Sequence, residues 1–332
     1  MTTKVLMSPG RTITNPFVGL LIDHLMQDIE VSEFNWKKAF SGEYDIMHVH
    51  WPESLIRADS KLRTLAKCLL FILLIGLNKL RGRKNVWTVH NLTAHERSSS
   101  VEKFALRIWR SSCHALVFMS KTELFDEANS RHLYIPHGDY SPIIDMNNFE
   151  SPPHNTGRIL LFGFLRPYKG IERLLEAFTK AEDLKSTLRI VGRPISNTFG
   201  RSLIDLMHSS PHISYDFRSL SDQQLLNEIN QAEMVILPYK RIYNSGAALM
   251  ALSASCPIVV TASPTMLELQ REVGSDWVQM LEGDLTATSL TDAVCSIRAG
   301  ESNRLSSRPS LTARDWSSLG ATYSLVYRDM KH

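Results

Sequence analysis

The chain has 332 residues, 43% hydrophobic and 21% charged, with a formal net charge of +3. At roughly 150 residues per domain this length predicts two domains, each able to bury its own core. The composition excludes a disordered chain, and so small a charge with no recognition motif excludes nucleic acid as the expected partner.

In chain order, the first half offers short runs rich in Val, Ile and Leu at Lys4–Met7, Asp45–Val49, Asn85–Val89, Ala115–Met119 and Leu133–Ile135. The second half offers Arg158–Phe162, Leu188–Val191, Met234–Leu237, Ile258–Thr261 and Trp277–Leu281. Runs that are apolar on both faces read as strands of a parallel, helix-covered sheet. Their alternation with helical stretches predicts an α/β architecture. Residues 145–157 have no apolar period and carry Pro152 and Pro153, which marks a linker. The expected division is therefore two facing, doubly wound, Rossmann-like domains over 1–147 and 148–314. A last helix over 315–332 is expected to pack back on the first domain.

Thr2–Ser8 reads as a strand and not as an apolar leader. Cys68, Cys113, Cys256 and Cys295 match no zinc or redox spacing, and each falls in an apolar stretch. Buried thiols in a reducing cytoplasm are expected. The stretch Leu69–Leu77 is too short to span a bilayer, which takes about 20 apolar residues. It is flanked by Lys61, Arg63, Lys67, Lys79, Arg81, Arg83 and Lys84. Two readings stay open: a buried helix with a solvated basic end, or a helix lying in an anionic membrane interface over 61–84.

Ligands of open α/β sheets bind at the carboxyl ends of strands. In the first half those ends carry Asn15, His48, His50, Glu53, His90, His95, Glu96 and His137. Imidazoles and carboxylates suit acid–base work on a hydroxyl. In the second half they carry Gly163, Arg166, Lys169, Pro238, Tyr239, Asn244, Ser245 and Gly246. Cationic side chains beside a Ser-Gly helix start suit a diphosphate, which takes up backbone N–H groups at a helix N-terminus. One half for a diphosphate and one for acid–base chemistry describe a group-transfer enzyme with a nucleotide donor.

The passages GFLRPYKGIERLL (163–175) and LPYKRIYNSGAALMALSASCPIVV (237–260) resemble the donor half of GT-B glycosyltransferases. The passages ITNPFVGLL (13–21), YDIMHVHWPESLIRADSKLRTLAK (44–67), TVHNLTAHE (88–96) and ARDWSSLGATYSLVY (313–327) extend the resemblance over nearly the whole chain. The group they resemble most is the bacterial exopolysaccharide β-1,4-mannosyltransferases of the xanthan type, glycosyltransferase family 94. This resemblance implies inverting transfer of mannose from GDP-mannose to a lipid-linked oligosaccharide, by a protein at the cytoplasmic face of the inner membrane. Carried over by motif, Arg166 and Lys169 hold the donor diphosphate. Asn244, Ser245 and Gly246 cradle its phosphates, and Pro238 and Tyr239 line the nucleotide pocket beside Gly163. Many retaining GT-B members carry a pair of glutamates around this helix start. Here the equivalent positions read Ile242 and Met250, in agreement with inversion.

An inverting transfer needs one general base and positive charge for the leaving diphosphate. For the base the order of preference is Glu96, then Glu53, then His95, with Asn15 placing the acceptor and His50 and His90 either placing the acceptor or binding donor oxygens. No Asp-x-Asp motif follows a strand, so neither metal nor cofactor is expected. The alternatives are a GT-B enzyme using another nucleotide sugar such as UDP-glucose, a sugar-nucleotide epimerase or hydrolase of related fold, and a binding module without catalysis.

Overall fold

The apolar runs do become strands, in two separate all-parallel sheets of six strands each. The computed structural model describes residues 2–12, 15–90, 99–121, 124–147, 157–208, 210–240, 245–305 and 307–331. The chain forms two compact units, one made of Met1–Gly138 with Ala313–His332, the other of Asp139–Thr312.

The first unit runs β1 (Thr3–Ser8), α1 (Phe17–His24), β2 (Ile29–Glu33), α2 (Trp36–Ser41), β3 (Ile46–Val49), α3 (Pro52–Ile56), α4 (Lys61–Leu80), β4 (Lys84–Val89), α5 (Ser100–Ser112), β5 (Ala115–Phe118) and β6 (His132–Tyr134). Its strand order is β2-β1-β3-β4-β5-β6. Val5, Leu6, Met7, Ile46, Met47 and Val49 are fully buried, because helices cover both faces of a parallel sheet. Ser99 and Glu102 close a capping box that starts α5.

The second unit runs α6 (Ser141–Met146), β7 (Arg158–Phe162), a 3₁₀ turn (Pro167–Lys169), α7 (Ile171–Lys180), β8 (Thr187–Val191), α8 (Asn197–Met207), β9 (Ile213–Asp216), α9 (Asp222–Asn230), β10 (Met234–Leu237), α10 (Gly246–Ser253), β11 (Ile258–Thr261), α11 (Pro264–Val273), β12 (Val278–Leu281), α12 (Ala287–Ala299) and α13 (Glu301–Leu305). Its order is β12-β11-β10-β7-β8-β9. The last helix, α14 (Trp316–Lys331), belongs to the first unit. It lies so close on α1 that a Cβ on Gly320 would fall 2.0 Å from the His24 carbonyl oxygen. Ser324 accepts from the Met26 N–H at 2.9 Å, and Arg328 pairs with Asp28.

Three expectations are corrected. The first unit ends at Gly138 and not at 147, because α6 packs within the second unit, where the Tyr140 N–H donates to Ser253 Oγ at 2.9 Å. It resumes at Ala313 and not at 315. Cys295 is exposed while the other three thiols are buried, because Ala293, Val294 and Ile297 form the inward face of α12.

The two sheets reverse strand order at different places. In the first unit the reversal falls between β1 and β3, and in the second between β7 and β10. The carboxyl ends flanking such a switch point are where doubly wound sheets open a crevice for ligands.

Candidate active site

In the second unit, β7 and β10 flank the switch point, and their ends carry the diphosphate candidates. Gly163 follows β7 at φ +99°, and Gly192 follows β8 at φ +126°. A Cβ on Gly192 would lie 2.1 Å from the Gly163 carbonyl oxygen, so the two strand exits touch backbone to backbone. The 3₁₀ turn then returns Lys169 beneath the strand end. Gly170, at φ +70°, passes so close to β10's exit that a Cβ would meet Pro238 O at 2.2 Å. The Lys240 N–H donates to Tyr168 O at 2.9 Å and ties the two loops together.

Lys169 is 7% exposed. Its Nζ lies 5.0 Å from the centre of the Tyr239 ring, and its hydrogen bond to Phe162 O is long at 3.4 Å. Burial, and then the nearby Arg166 charge, push the Lys169 ammonium down to about 7. Arg166 stacks on Phe164, 4.8 Å from its centroid, and its buried Nε has no hydrogen-bond partner among the described residues. Tyr239 is buried, and burial raises its phenol well above its usual range. Its hydroxyl, beside Ser245, makes no hydrogen bond of good geometry among the described residues. Ser245 caps α10 by accepting from the Ala248 N–H at 3.2 Å. That leaves the N–H groups of Gly246 and Ala247 without acceptors inside the helix. A Cβ on Gly246 would lie 2.7 Å from the Tyr140 hydroxyl, so any larger residue would have to displace Tyr140. Two cations, a helix start and poorly satisfied polar atoms are the groups that a site for an anion requires.

The first unit gathers its histidines at the end of β3 and β4. His50 Nδ1 lies 2.9 Å from His90 Nε2, and Trp51 stacks on His90 at 4.1 Å. Phe17 meets His50, His90 and His137 edge-on, with centroid distances of 5.7, 5.0 and 4.8 Å. Burial pushes His50 down to about 3 and His137 to about 4, with His48 and His90 well below the usual imidazole range. All four rings are neutral at physiological pH and act as hydrogen-bonding groups, not cations. Glu53 sits in the first turn of α3, partly buried. Burial raises its carboxyl, against its own backbone N–H and the more distant Arg57. Arg57 bonds instead to Glu102 at 2.9 Å. Glu53 is thus a carboxylate whose basicity is enhanced.

No protein-family model matches the chain. Over 315 residues the chain is 32% identical to a protein of Xanthomonas campestris pv. campestris named GDP-mannose:glycolipid 4-beta-D-mannosyltransferase, with 95% of this chain and 88% of the relative aligned. This chain belongs to that glycosyltransferase family. A second protein of the same name and species is 32% identical over 314 residues. Among solved structures, a glycosyltransferase from Rickettsia africae ESF-5 superposes with a TM-score of 0.64 at 14% identity, over 99% of this chain and 98% of that one. A sucrose-phosphate synthase from Thermosynechococcus elongatus gives 0.63 at 13% identity, over 98% and 88%. These structural likenesses establish the GT-B fold.

In this glycosyltransferase the structure brings Gly163, Arg166, Lys169, Tyr239, Ser245 and Gly246 together at one switch point, and His50 and His90 together in the other unit. Asn15 does local work, its Oδ1 accepting the Phe17 N–H at 3.1 Å where α1 begins. His95, Glu96 and Asn244 lie outside the described residues. Sequence reasoning missed Phe164, Tyr168 and Tyr140 on the donor side, and Trp51, Thr88 and Tyr327 around the histidines. Aromatic residues next to a motif were the available signal for Phe164, Tyr168 and Trp51. A cavity of about 460 Å³ lined by Gly157, Lys185, Ser186 and His212 sits where β7, β8 and β9 begin, at the end of the sheet away from these groups.

Helix α4 has one buried face and one exposed face. Cys68, Phe71, Leu74 and Ile75 are buried, while Leu62, Leu69, Leu73 and Leu80 are exposed by 77%, 59%, 54% and 84%. A row of leucines facing water is unusual for a globular surface. Among the described residues no helix is long and apolar enough to cross a membrane.

Proposed function

We propose that this enzyme transfers mannose from GDP-mannose to a lipid-linked oligosaccharide with inversion at the anomeric carbon, in the synthesis of an exopolysaccharide. The observation that carries the proposal is the meeting of Arg166, Lys169, Tyr239 and the α10 start at the β7/β10 switch point, in a chain 32% identical to relatives named for this donor and a glycolipid. In the reaction an acceptor oxygen forms a bond to C1 of mannose. The bond from C1 to the phosphate oxygen breaks, and its electron pair leaves on GDP. Arg166, Lys169 and the first N–H groups of α10 take up that charge, so the leaving group needs no metal ion. The acceptor's proton goes to a general base, with Glu96 first, Glu53 second and His95 third in the ranking. His50 and His90, neutral and paired, place the acceptor.

The acceptor's lipid also gives the leucines of α4 a purpose. In this reading they dip into the membrane interface while Lys61, Arg63, Lys79, Arg81, Arg83 and Lys84 meet anionic headgroups, and the enzyme works peripherally on the cytoplasmic face of the inner membrane. Calorimetric titration with GDP, GDP-mannose, UDP and UDP-glucose tests the donor reading. Binding of the guanine nucleotides alone supports it, and preference for UDP overturns it. Transfer that persists in excess chelator supports the metal-free leaving group, and its loss overturns it.

A further inference from the structure

The histidine that comes closest to being buried without a purpose is His48. It is fully buried, and both its ring nitrogens are engaged. Its Nδ1 lies 2.6 Å from the Tyr327 hydroxyl, on α14, and its Nε2 2.8 Å from Thr88 Oγ1, on β4. Thr88 in turn lies 3.4 Å from the Tyr323 hydroxyl. The held ring is tilted by 32° against His50 with a centroid separation of only 4.3 Å. His50 reaches His90 through Nδ1, but its Nε2 is buried with no hydrogen-bond partner among the described residues. A buried polar atom left unpaired costs free energy, and in a native site it asks for a ligand.

A neutral imidazole carries one proton, so a bond between two ring nitrogens needs one bearing a proton and one bare. Which way the His50–His90 bond points therefore decides whether His50 Nε2 donates or accepts. Ring orientation and tautomer must both be held for such an atom to select one hydroxyl. Resting on the mannosyl-transfer reading, we infer that His50 Nε2 takes a hydroxyl of the acceptor sugar and that Tyr327 and Thr88 are positioning residues, acting through His48. The C-terminal helix is then part of the acceptor site without touching the acceptor.

The test compares Thr88→Val, Thr88→Ser and Tyr327→Phe with the unsubstituted enzyme in steady-state transfer, varying donor and acceptor separately. Loss of one neutral hydrogen bond to His48 should raise the acceptor KM about three- to tenfold. The donor KM and GDP affinity should stay within about twofold, and Thr88→Ser should restore the native acceptor KM. A purely structural role would lower kcat through loss of folded enzyme with both KM values unchanged, and that result overturns the inference. So does a Thr88→Ser enzyme as impaired as Thr88→Val. Should the variants not fold, ¹⁵N imidazole NMR of the unsubstituted protein decides: one fixed tautomer at His48 and His50 supports the clamp, and averaged tautomers overturn it. No transfer by the unsubstituted enzyme counts against the mannosyl-transfer reading, and the NMR measurement still decides the clamp.

Discussion

Lys169 Nζ sits 5.0 Å from the centre of the Tyr239 ring, joining the exits of β7 and β10 through a cation on an aromatic face. Both side chains are buried, and the ammonium is discouraged by burial and by Arg166. The cost of that arrangement is recovered when an anion arrives.

The pH dependence of donor binding follows. With its pKa lowered to about 7, Lys169 is charged below that value and increasingly neutral above it. A diphosphate favours the charged form and raises the pKa in the complex. GDP affinity is therefore expected to fall as pH rises through about 7, with uptake of a proton on binding. Calorimetry in buffers of different ionisation enthalpy reads that proton. Lys169→Met should weaken GDP about ten- to a hundredfold and abolish the uptake.

The general base is read from turnover. Glu96→Gln is expected to lower kcat by about 10²–10⁴ while GDP binding stays intact. Near-native turnover in that variant would transfer the role to Glu53. The acid limb of the kcat/KM profile would then lie above the ordinary carboxylate range, because burial raises Glu53. A base works deprotonated, so activity is lost as pH falls through the raised value.

Gly192 tests the backbone geometry under the donor site. At φ +126°, with the Gly163 carbonyl oxygen 2.1 Å from any Cβ, Gly192→Ala must move the exit of β7. A loss of at least ~2 kcal/mol in urea unfolding is expected, from backbone strain and the clash together. Gly76 on α4 has nothing within 4 Å of its Cβ position, so Gly76→Ala should not destabilise the protein.

The leucine row of α4 is tested on vesicles. Leu69→Ser combined with Leu73→Ser removes exposed apolar surface, so the fold should be unaffected. Co-sedimentation with vesicles containing anionic lipid should fall several-fold. High salt should weaken the unsubstituted protein's binding, since headgroup attraction is screened. Equal sedimentation of variant and unsubstituted protein would remove α4 from the interface.

The central strands were legible because burial on both faces writes a continuous apolar run, as in LLF of β7 and MVIL of β10. β2 and β9 were not, because each is an edge strand with its residues mostly half-exposed or exposed, and IEVSE and ISYD carry no such run. The candidate donor residues were legible as charged or glycine-rich strand exits. That β7 and β10 are neighbours is a matter of strand order, which local pattern does not encode. His48 and His50 alternate along one strand and look alike in sequence. What separates them is Tyr327, which arrives on a helix at the far end of the chain.

The proposed reaction is transfer of mannose with inversion, driven by release of a diphosphate held at the β7/β10 exit. The most direct measurement incubates the purified enzyme with GDP-mannose and a lipid-linked glycan acceptor and determines the anomeric configuration of the product by NMR. A β-linked mannosyl product is expected, formed by the unsubstituted enzyme and strongly reduced in Lys169→Met. An α-linked product, or transfer from UDP-glucose in place of GDP-mannose, would contradict it.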